Sequence, residues 1–294
     1  MKKILFLISL FLLTACVPEE PAKEPFEGRE LVKLEELNKF GDLCRKEAYS
    51  PRKWGHHLIL VDTTENLNQP RLEWVDKNVF SIETLRDIPP YDLLSIYNMT
   101  GSQQEAAQMN PLVKKCRPLT GDDRTKYSLD RGDLYHNLPT KLKTNWNSFV
   151  RSIDREKENL YSENPKYSLL FEVMKEISRL DAVDFKDDYK FRKLIIVSDM
   201  VQNSANTSLQ DRCNKKFPDW KSYRNDKKNK NLIDFLMPKF GDTSNFSVEI
   251  FYLRINCDRQ LNNGAIEFWN SYFSEAGISN VKWTPETLQN TKDK

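Results

Sequence analysis

Short apolar runs alternate with amphipathic stretches along most of the chain. Continuous apolar runs between polar residues predict buried strands, and apolar residues at every third or fourth position predict helices. The predicted strands are 57–61, 91–97, 112–116, 192–198, 246–255 and 281–283. The predicted helices are 31–47, 71–86, 138–162, a helix starting at Pro165, 232–237 and 261–276. This alternation predicts a doubly wound α/β fold with a mostly parallel sheet, helices on its faces and 112–116 as a short antiparallel edge strand.

The first fifteen residues have the pattern of an export signal. Lys2 and Lys3 precede an apolar run at 4–13, which is shorter than the roughly 20 apolar residues of a membrane-spanning helix. The segment that ends Leu13-Thr14-Ala15-Cys16 resembles the bacterial lipobox. That resemblance implies cleavage before Cys16 and acylation of its sulfur. An ordinary signal peptide with a chance cysteine is the alternative interpretation.

Residues 17–30 predict a solvated tether between the lipid and a folded domain. They contain three prolines and five glutamates, a composition that keeps a chain extended. One domain is expected over 31–294, with a helix at its start and a tail at its end. Acyl chains on Cys16 would anchor the protein, because each buried methylene contributes about 0.8 kcal/mol. Val17, rather than Asp, favours the outer membrane by analogy with enteric bacteria, so we expect a lipid-anchored, periplasm-facing protein.

The charge balance argues against nucleic acid as a partner. The chain has 45 Lys and Arg, 43 Asp and Glu, and 3 His. Without Lys2 and Lys3, which belong to the leader, 43 charges of each sign remain. Binding to nucleic acid or anionic lipid through bulk charge needs a clear basic excess. We therefore expect a protein partner in the envelope, with membrane contact through the lipid alone.

Four cysteines remain when Cys16 is set aside. An even number in an exported chain indicates two disulfides, and no CxxC spacing is present to favour zinc or thiol exchange. Three pairings are possible. We favour two, because each would tie a segment to one end of the predicted sheet: Cys44 with Cys116, and Cys213 with Cys257. Four reduced, buried thiols are the alternative.

Two predicted strands end in an aspartate. Asp62 follows the run at 57–61, and Asp199 follows the run at 192–198. Ligand sites in doubly wound folds lie beyond the carboxyl ends of the strands, so these carboxylates are candidates for a shared site. The alternative is structural: Asp62 caps the following turn, and Asp199 hydrogen-bonds loop backbone.

The order of strands and acidic motifs over about 55–285 resembles the von Willebrand factor A family. The resemblance implies a metal-ion-dependent adhesion site, in which Asp-x-Ser-x-Ser, a middle-loop Thr and a later Asp hold Mg²⁺ or Mn²⁺. Oxygen ligands of this kind suit those hard cations. Asn replaces the second Ser, so the site is degenerate. The matching positions are Asp62, Thr64, Asn66 and Asp199, with Thr120 or Thr100 in the middle loop.

The resemblance implies a binding module rather than an enzyme. The chain has no GxSxG, Walker A or HExxH motif. Our first hypothesis is therefore a membrane-anchored envelope lipoprotein that binds a protein partner through the loops at the top of its sheet. A metal-dependent, phosphatase-like envelope hydrolase is one alternative. A structural subunit of a secretion or conjugation apparatus with a vestigial site is another.

Overall fold

A computed structural model describes most of the chain from residue 55 onwards. The described residues are 55–64, 67–99, 109–118, 120, 138–162, 167–180, 183, 185, 189–205, 207–209, 217–254 and 259–287. The leader, the tether and the predicted helix at 31–47 lie outside them. Among the described helices, none combines the length and the apolar character that crossing a membrane requires.

One six-stranded sheet organises the described residues. Its strands are β1 (Gly55–Asp62), β2 (Leu93–Met99), β3 (Val113–Cys116), β4 (Phe191–Ser198), β5 (Phe246–Tyr252) and β6 (Val281–Pro285). The order across the sheet is β3-β2-β1-β4-β5-β6. Only β3 is antiparallel to its neighbour among these strands. The predicted fold class is therefore confirmed, including the short antiparallel edge strand.

Helices cover both faces of this sheet. They are α1 (Gln69–Asn78), α2 (Ile82–Asp87), α3 (Leu138–Ser162), α4 (Leu170–Arg179), α5 (Trp220–Asn225), α6 (Lys230–Leu236) and α7 (Arg259–Glu275). One core contains Leu58 and Leu60 of β1 together with side chains from α4 to α7. The other contains Ile59 and Val61 together with side chains from α1, α2 and α3. Burial on both faces explains why β1 reads as a continuous apolar run.

Several predicted boundaries differ from the observed ones. The helix predicted over 71–86 is two helices, because Ser81 caps a new helix by accepting a hydrogen bond from Thr84 N at 3.2 Å. The helix predicted from Pro165 begins at Leu170, and the strand predicted over 246–255 ends at Tyr252. The strand predicted over 91–97 lies two residues later. Helix α5 was not predicted.

Cys116 ends the edge strand β3 and is disulfide-bonded. The other four cysteines lie outside the described residues, so the pairing of Cys116 with Cys44 stays a prediction. Lys114 and Lys115 lie within the same edge strand, where charged side chains discourage further strand pairing.

Candidate functional site

The two aspartates lie at the same edge of the sheet, as their positions after parallel strands predict. β1 and β4 are direct neighbours, with Val61 opposite Val197. Asp62 ends β1, and Asp199 comes one residue after the end of β4. Both side chains are buried, with 1% and 3% of their surface exposed. The two aspartates thus lie beyond the ends of β1 and β4, the two central strands of the sheet. Chain connections leave in opposite directions there, and ligand sites of such folds are found at this point.

Asp62 accepts hydrogen bonds from three separate segments of the chain. Its Oδ1 accepts from Thr64 Oγ1 at 2.5 Å and from Thr64 N at 3.0 Å. Its Oδ2 accepts from Ser168 Oγ at 2.7 Å and from Ser198 Oγ at 2.8 Å. Three hydroxyl groups therefore converge on one carboxylate. Ser168 lies just before α4, and Ser198 is the last residue of β4.

Burial and hydrogen bonding act on the ionisation of Asp62 in opposite directions. Burial raises the pKa of Asp62, and hydrogen bonds from Thr64, Ser168 and Ser198 partly offset that rise by stabilising the carboxylate. Among the described residues, no Lys, Arg or His forms an ion pair with Asp62. Within the described residues, the hydrogen bonds to the Asp62 carboxyl group thus come from neutral donors only.

Asp199 makes one of its hydrogen bonds within its own loop. Its Oδ1 accepts a hydrogen bond from Val201 N at 2.8 Å, which closes a turn after β4. Asp62 closes a similar turn through Thr64 N. The structural alternative considered for both aspartates is therefore present in the fold. For Asp62 the structural alternative does not account for all the contacts. Its Oδ2 accepts hydrogen bonds from hydroxyl groups more than 100 residues away in sequence.

The structure does not bring Thr120 to Asp62. Thr120 follows β3, whose last residue Cys116 pairs with Leu93 at the start of β2. Arg117 N donates to Asp92 O at this opposite edge, and three residues reach roughly 10 Å at most. Asp62 lies about 20 Å away, at the far end of the seven residue steps of β1. The hydroxyl that joins Asp62 from the middle of the chain belongs to Ser168.

Two of the residues that contact Asp62 were not among the sequence candidates. Ser168 lies in no recognisable motif, and only the fold brings it to β1. Ser198 directly precedes Asp199, so its place at the strand end was a usable signal. Asn66 and Thr100 lie outside the described residues, and their assignment stays a prediction. Within the described residues, no group of three or more His, Cys, Asp or Glu is placed to hold a metal ion.

Comparisons with known proteins show distant structural likeness only. Neither the protein-family models nor the curated proteins give a match to the sequence. A mutant of the PilB minor pilin from Streptococcus sanguinis gives a TM-score of 0.41 at 11% identity, over 82% of this chain and 58% of that one. A von Willebrand factor type A protein from Catenulispora acidiphila gives 0.34 at 6% identity, over 77% and 42%. The chain thus spans about half the length of these proteins.

The described residues therefore define a doubly wound α/β protein with a carboxylate and hydroxyl cluster at the carboxyl edge of its sheet. At such low identities the comparisons concern the arrangement of strands and helices. The functional argument rests on the cluster itself.

Proposed function

We propose that the protein is an envelope lipoprotein, tethered through Cys16, that binds a protein partner with the loops at the carboxyl edge of its sheet. In this proposal Mg²⁺ or Mn²⁺ is held at Asp62 and takes part in partner binding. The observation that carries the proposal is the convergence of Thr64, Ser168 and Ser198 hydroxyls on the Asp62 carboxylate.

The donor set fits a hard divalent cation. A hydroxyl group has one proton to donate and two lone pairs that can accept or coordinate. Thr64 and Ser168 give their protons to Asp62, so their oxygens keep lone pairs for an ion. A bound cation would favour the charged form of Asp62, which has no cationic partner among the described residues. Mg²⁺ binds few protein oxygens and keeps several waters, which suits a site with few carboxylates.

A bound ion would supply positive charge and an open coordination position for an oxygen of the partner. A partner carboxylate is the simplest group for that position, because it is a hard anionic oxygen ligand. The chain's own residues would orient the ion: Asp62 by charge, and the hydroxyls of Thr64 and Ser168 by direction. Asp199 lies on the neighbouring strand end and would contribute directly or through water.

Calorimetric titration with Mg²⁺ and Mn²⁺ tests the ion-binding part of the proposal. We expect saturable binding to the purified protein and its loss in Asp62→Asn. Asp219→Asn is the matched control, because exposed Asp219 also accepts hydrogen bonds from a serine, Ser222 N and Oγ, but only within its own turn. Identical titrations of all three proteins would rule out an ion at Asp62.

Cell fractionation and labelling with a fatty-acid analogue test the lipid anchor. We expect the protein in the membrane fraction with label attached, and Cys16→Ser without label. An unlabelled but membrane-bound protein would exclude lipidation at Cys16 as its anchor.

Crosslinking in the native envelope separates a binding module from a structural subunit. If the ion mediates binding, a chelator should reduce crosslinking to the partner, and Asp62→Asn should reproduce that loss. A partner that stays crosslinked under both conditions would favour the structural subunit.

A further inference from the structure

Met200, directly after Asp199, has a backbone conformation that L residues rarely adopt. Its φ is +58°, in the left-handed region where a Cβ atom crowds the backbone. Its side chain is fully buried in the core on the α4–α7 face of the sheet. A buried, unbranched apolar residue has no local side-chain hydrogen bond to favour this conformation, so the surrounding contacts must maintain it.

Hydrogen bonds on both sides hold this conformation. Met200 N donates to Ser198 Oγ at 2.8 Å, and Met200 O accepts from Trp269 Nε1 at 2.7 Å. The next amide, Val201 N, donates to Asp199 Oδ1 at 2.8 Å. The first of these bonds uses a lone pair of the same hydroxyl that donates to Asp62 Oδ2. The backbone at Met200 therefore fixes the direction in which Ser198 presents its proton.

Trp269 is a rigid donor. It lies on α7 and is fully buried. Its ring packs against Phe171 and Tyr272, each with a centroid separation of 5.1 Å, and against Phe268 at 5.5 Å. An indole held by neighbours on several sides cannot turn its N–H elsewhere without disturbing the core.

We propose that Trp269 is a positioning residue for the site at Asp62. Its indole N–H holds Met200 in the left-handed conformation, and that conformation sets Ser198 against Asp62. The path runs from Trp269 through Met200 and Ser198 to Asp62, and each step is a hydrogen bond or a peptide link. The effect of Trp269 on ion binding rests on the proposed function. Its effect on the backbone conformation of Met200 does not rest on that function.

Trp269→Phe removes the donor while keeping an aromatic ring in the core. Trp220→Phe is the matched control, since buried Trp220 belongs to the same aromatic cluster but donates its N–H to Glu275 Oε2 at 2.7 Å, a residue at the end of α7. Both substitutions remove the same atoms and one hydrogen bond. Only the first touches the loop after β4.

The backbone conformation is measured first, without metal, through the Cα and Cβ chemical shifts of Met200. We expect shifts of a positive φ in the wild type and in Trp220→Phe, and displaced or doubled signals in Trp269→Phe. Unchanged Met200 shifts in folded Trp269→Phe would overturn the proposal, whatever the protein binds.

Mn²⁺ affinity is measured second. Trp269→Phe should weaken it about five- to tenfold, the equivalent of one net hydrogen bond, and Trp220→Phe by less than about twofold. In the Met200→Gly background, where glycine adopts positive φ freely, adding Trp269→Phe should weaken it by less than about threefold. Equal losses of Mn²⁺ affinity in both backgrounds would show that Trp269 acts only through packing and would overturn its proposed role in holding the Met200 backbone. A wild type that binds no Mn²⁺ contradicts the proposed function. The chemical shifts of Met200 alone then decide whether Trp269 holds its backbone conformation.

Discussion

Two buried aspartates lie at opposite edges of the same sheet, and their surroundings differ. Asp92, just before β2, is fully buried. Its Oδ1 accepts from Gly55 N at 2.8 Å, and its Oδ2 lies 3.2 Å from His57 Nε2. Asp62 is equally buried at the carboxyl edge, but its donors are three hydroxyls and one amide. Asp92 therefore has a partner that can carry positive charge, and Asp62 has none among the described residues.

The difference distinguishes a carboxylate that joins two strands from one whose donors are mainly hydroxyl groups. Asp92 joins the start of β1 to the start of β2, and the chain there is too tight for another residue at position 55. A Cβ atom on Gly55 would lie 2.6 Å from Asp92 Oδ2 and 2.2 Å from the Phe191 ring. At Asp62 the partners are three hydroxyls and one amide, and the hydroxyl oxygens of Thr64 and Ser168 keep lone pairs. The amino edge is closed, whereas the carboxyl edge is where we propose that a cation binds.

The largest expected effect is on stability at the amino edge. Asp92→Ala should lower the free energy of unfolding by about 2–4 kcal/mol, because it leaves two buried polar groups, Gly55 N and His57 Nε2, without their partner. His57 Nδ1 already lacks a hydrogen-bond partner in the described structure, so His57 would lose its only described polar contact. Asp62→Ala should cost about 1–2 kcal/mol, since burial already opposes the ionisation of this carboxyl group and the hydroxyls of Thr64 and Ser168 can turn to other acceptors. Urea unfolding measures both, and equal losses would remove the distinction between the two edges.

The positions of both aspartates follow from the sequence to different extents. Asp62 could be placed because it ends a continuous apolar run, and the carboxyl ends of parallel strands share one edge. The role of Asp92 could not be predicted, because Asp92 lies inside the strand predicted over 91–97. The observed strand begins at Leu93. A shift of two residues moved it from within the strand to the turn before it.

The hydroxyl groups around Asp62 were only partly predictable, because some of them are brought there by the fold rather than by local sequence. Thr64 follows Asp62 at motif spacing, so local sequence is enough to find it. Ser168 is 106 residues from Asp62, and its loop has no pattern that distinguishes it from other serines. Thr120 is one of the two middle-loop candidates, because it follows the predicted edge strand. That strand is antiparallel, so its end lies at the amino edge, beside Asp92.

The second effect is stabilisation by metal at the carboxyl edge alone. Mg²⁺ at 100 times its dissociation constant should raise the free energy of unfolding by about 2.7 kcal/mol. Asp62→Asn should abolish this increase. Asp92→Ala, though less stable, should show all of it, because the amino edge takes no part in binding. Thermal unfolding with and without Mg²⁺ measures the increase, and its loss in Asp92→Ala would contradict the separation of the two edges.

A smaller effect is expected for Ser168→Ala. Without metal it should cost about 1 kcal/mol, the net value of one hydrogen bond to Asp62. With Mg²⁺ the stabilisation should also shrink, because the ion loses a hydroxyl ligand. Ser152→Ala is the matched control, since buried Ser152 donates only to Phe149 O at 2.7 Å, within α3. If both variants respond to Mg²⁺ as the wild type does, Ser168 is not part of an ion site.

The smallest effect concerns Glu249, a carboxylate with cationic partners, which Asp62 does not have within the part of the chain that the structure describes. It lies on β5, with Lys193 Nζ and Lys282 Nζ each 2.6 Å from its oxygens. Burial opposes its ionisation, but the two lysines outweigh burial, and the pKa of Glu249 is lowered from 4.5. A lowered pKa in the folded state means that the ion pairs stabilise the protein above about pH 4.5 and that this contribution is lost as the pH falls below it.

Glu249→Gln should therefore lower the free energy of unfolding by about 0.5–1 kcal/mol at pH 7 and have progressively less effect as the pH falls toward 3. Urea unfolding at both pH values in low salt measures the change, and added salt should reduce the difference at pH 7. A difference that grows on acidification would mean that burial, rather than the lysines, dominates at Glu249. Cationic partners would then not explain how Glu249 and Asp92 differ from Asp62, and the contrast between the two edges would need another cause.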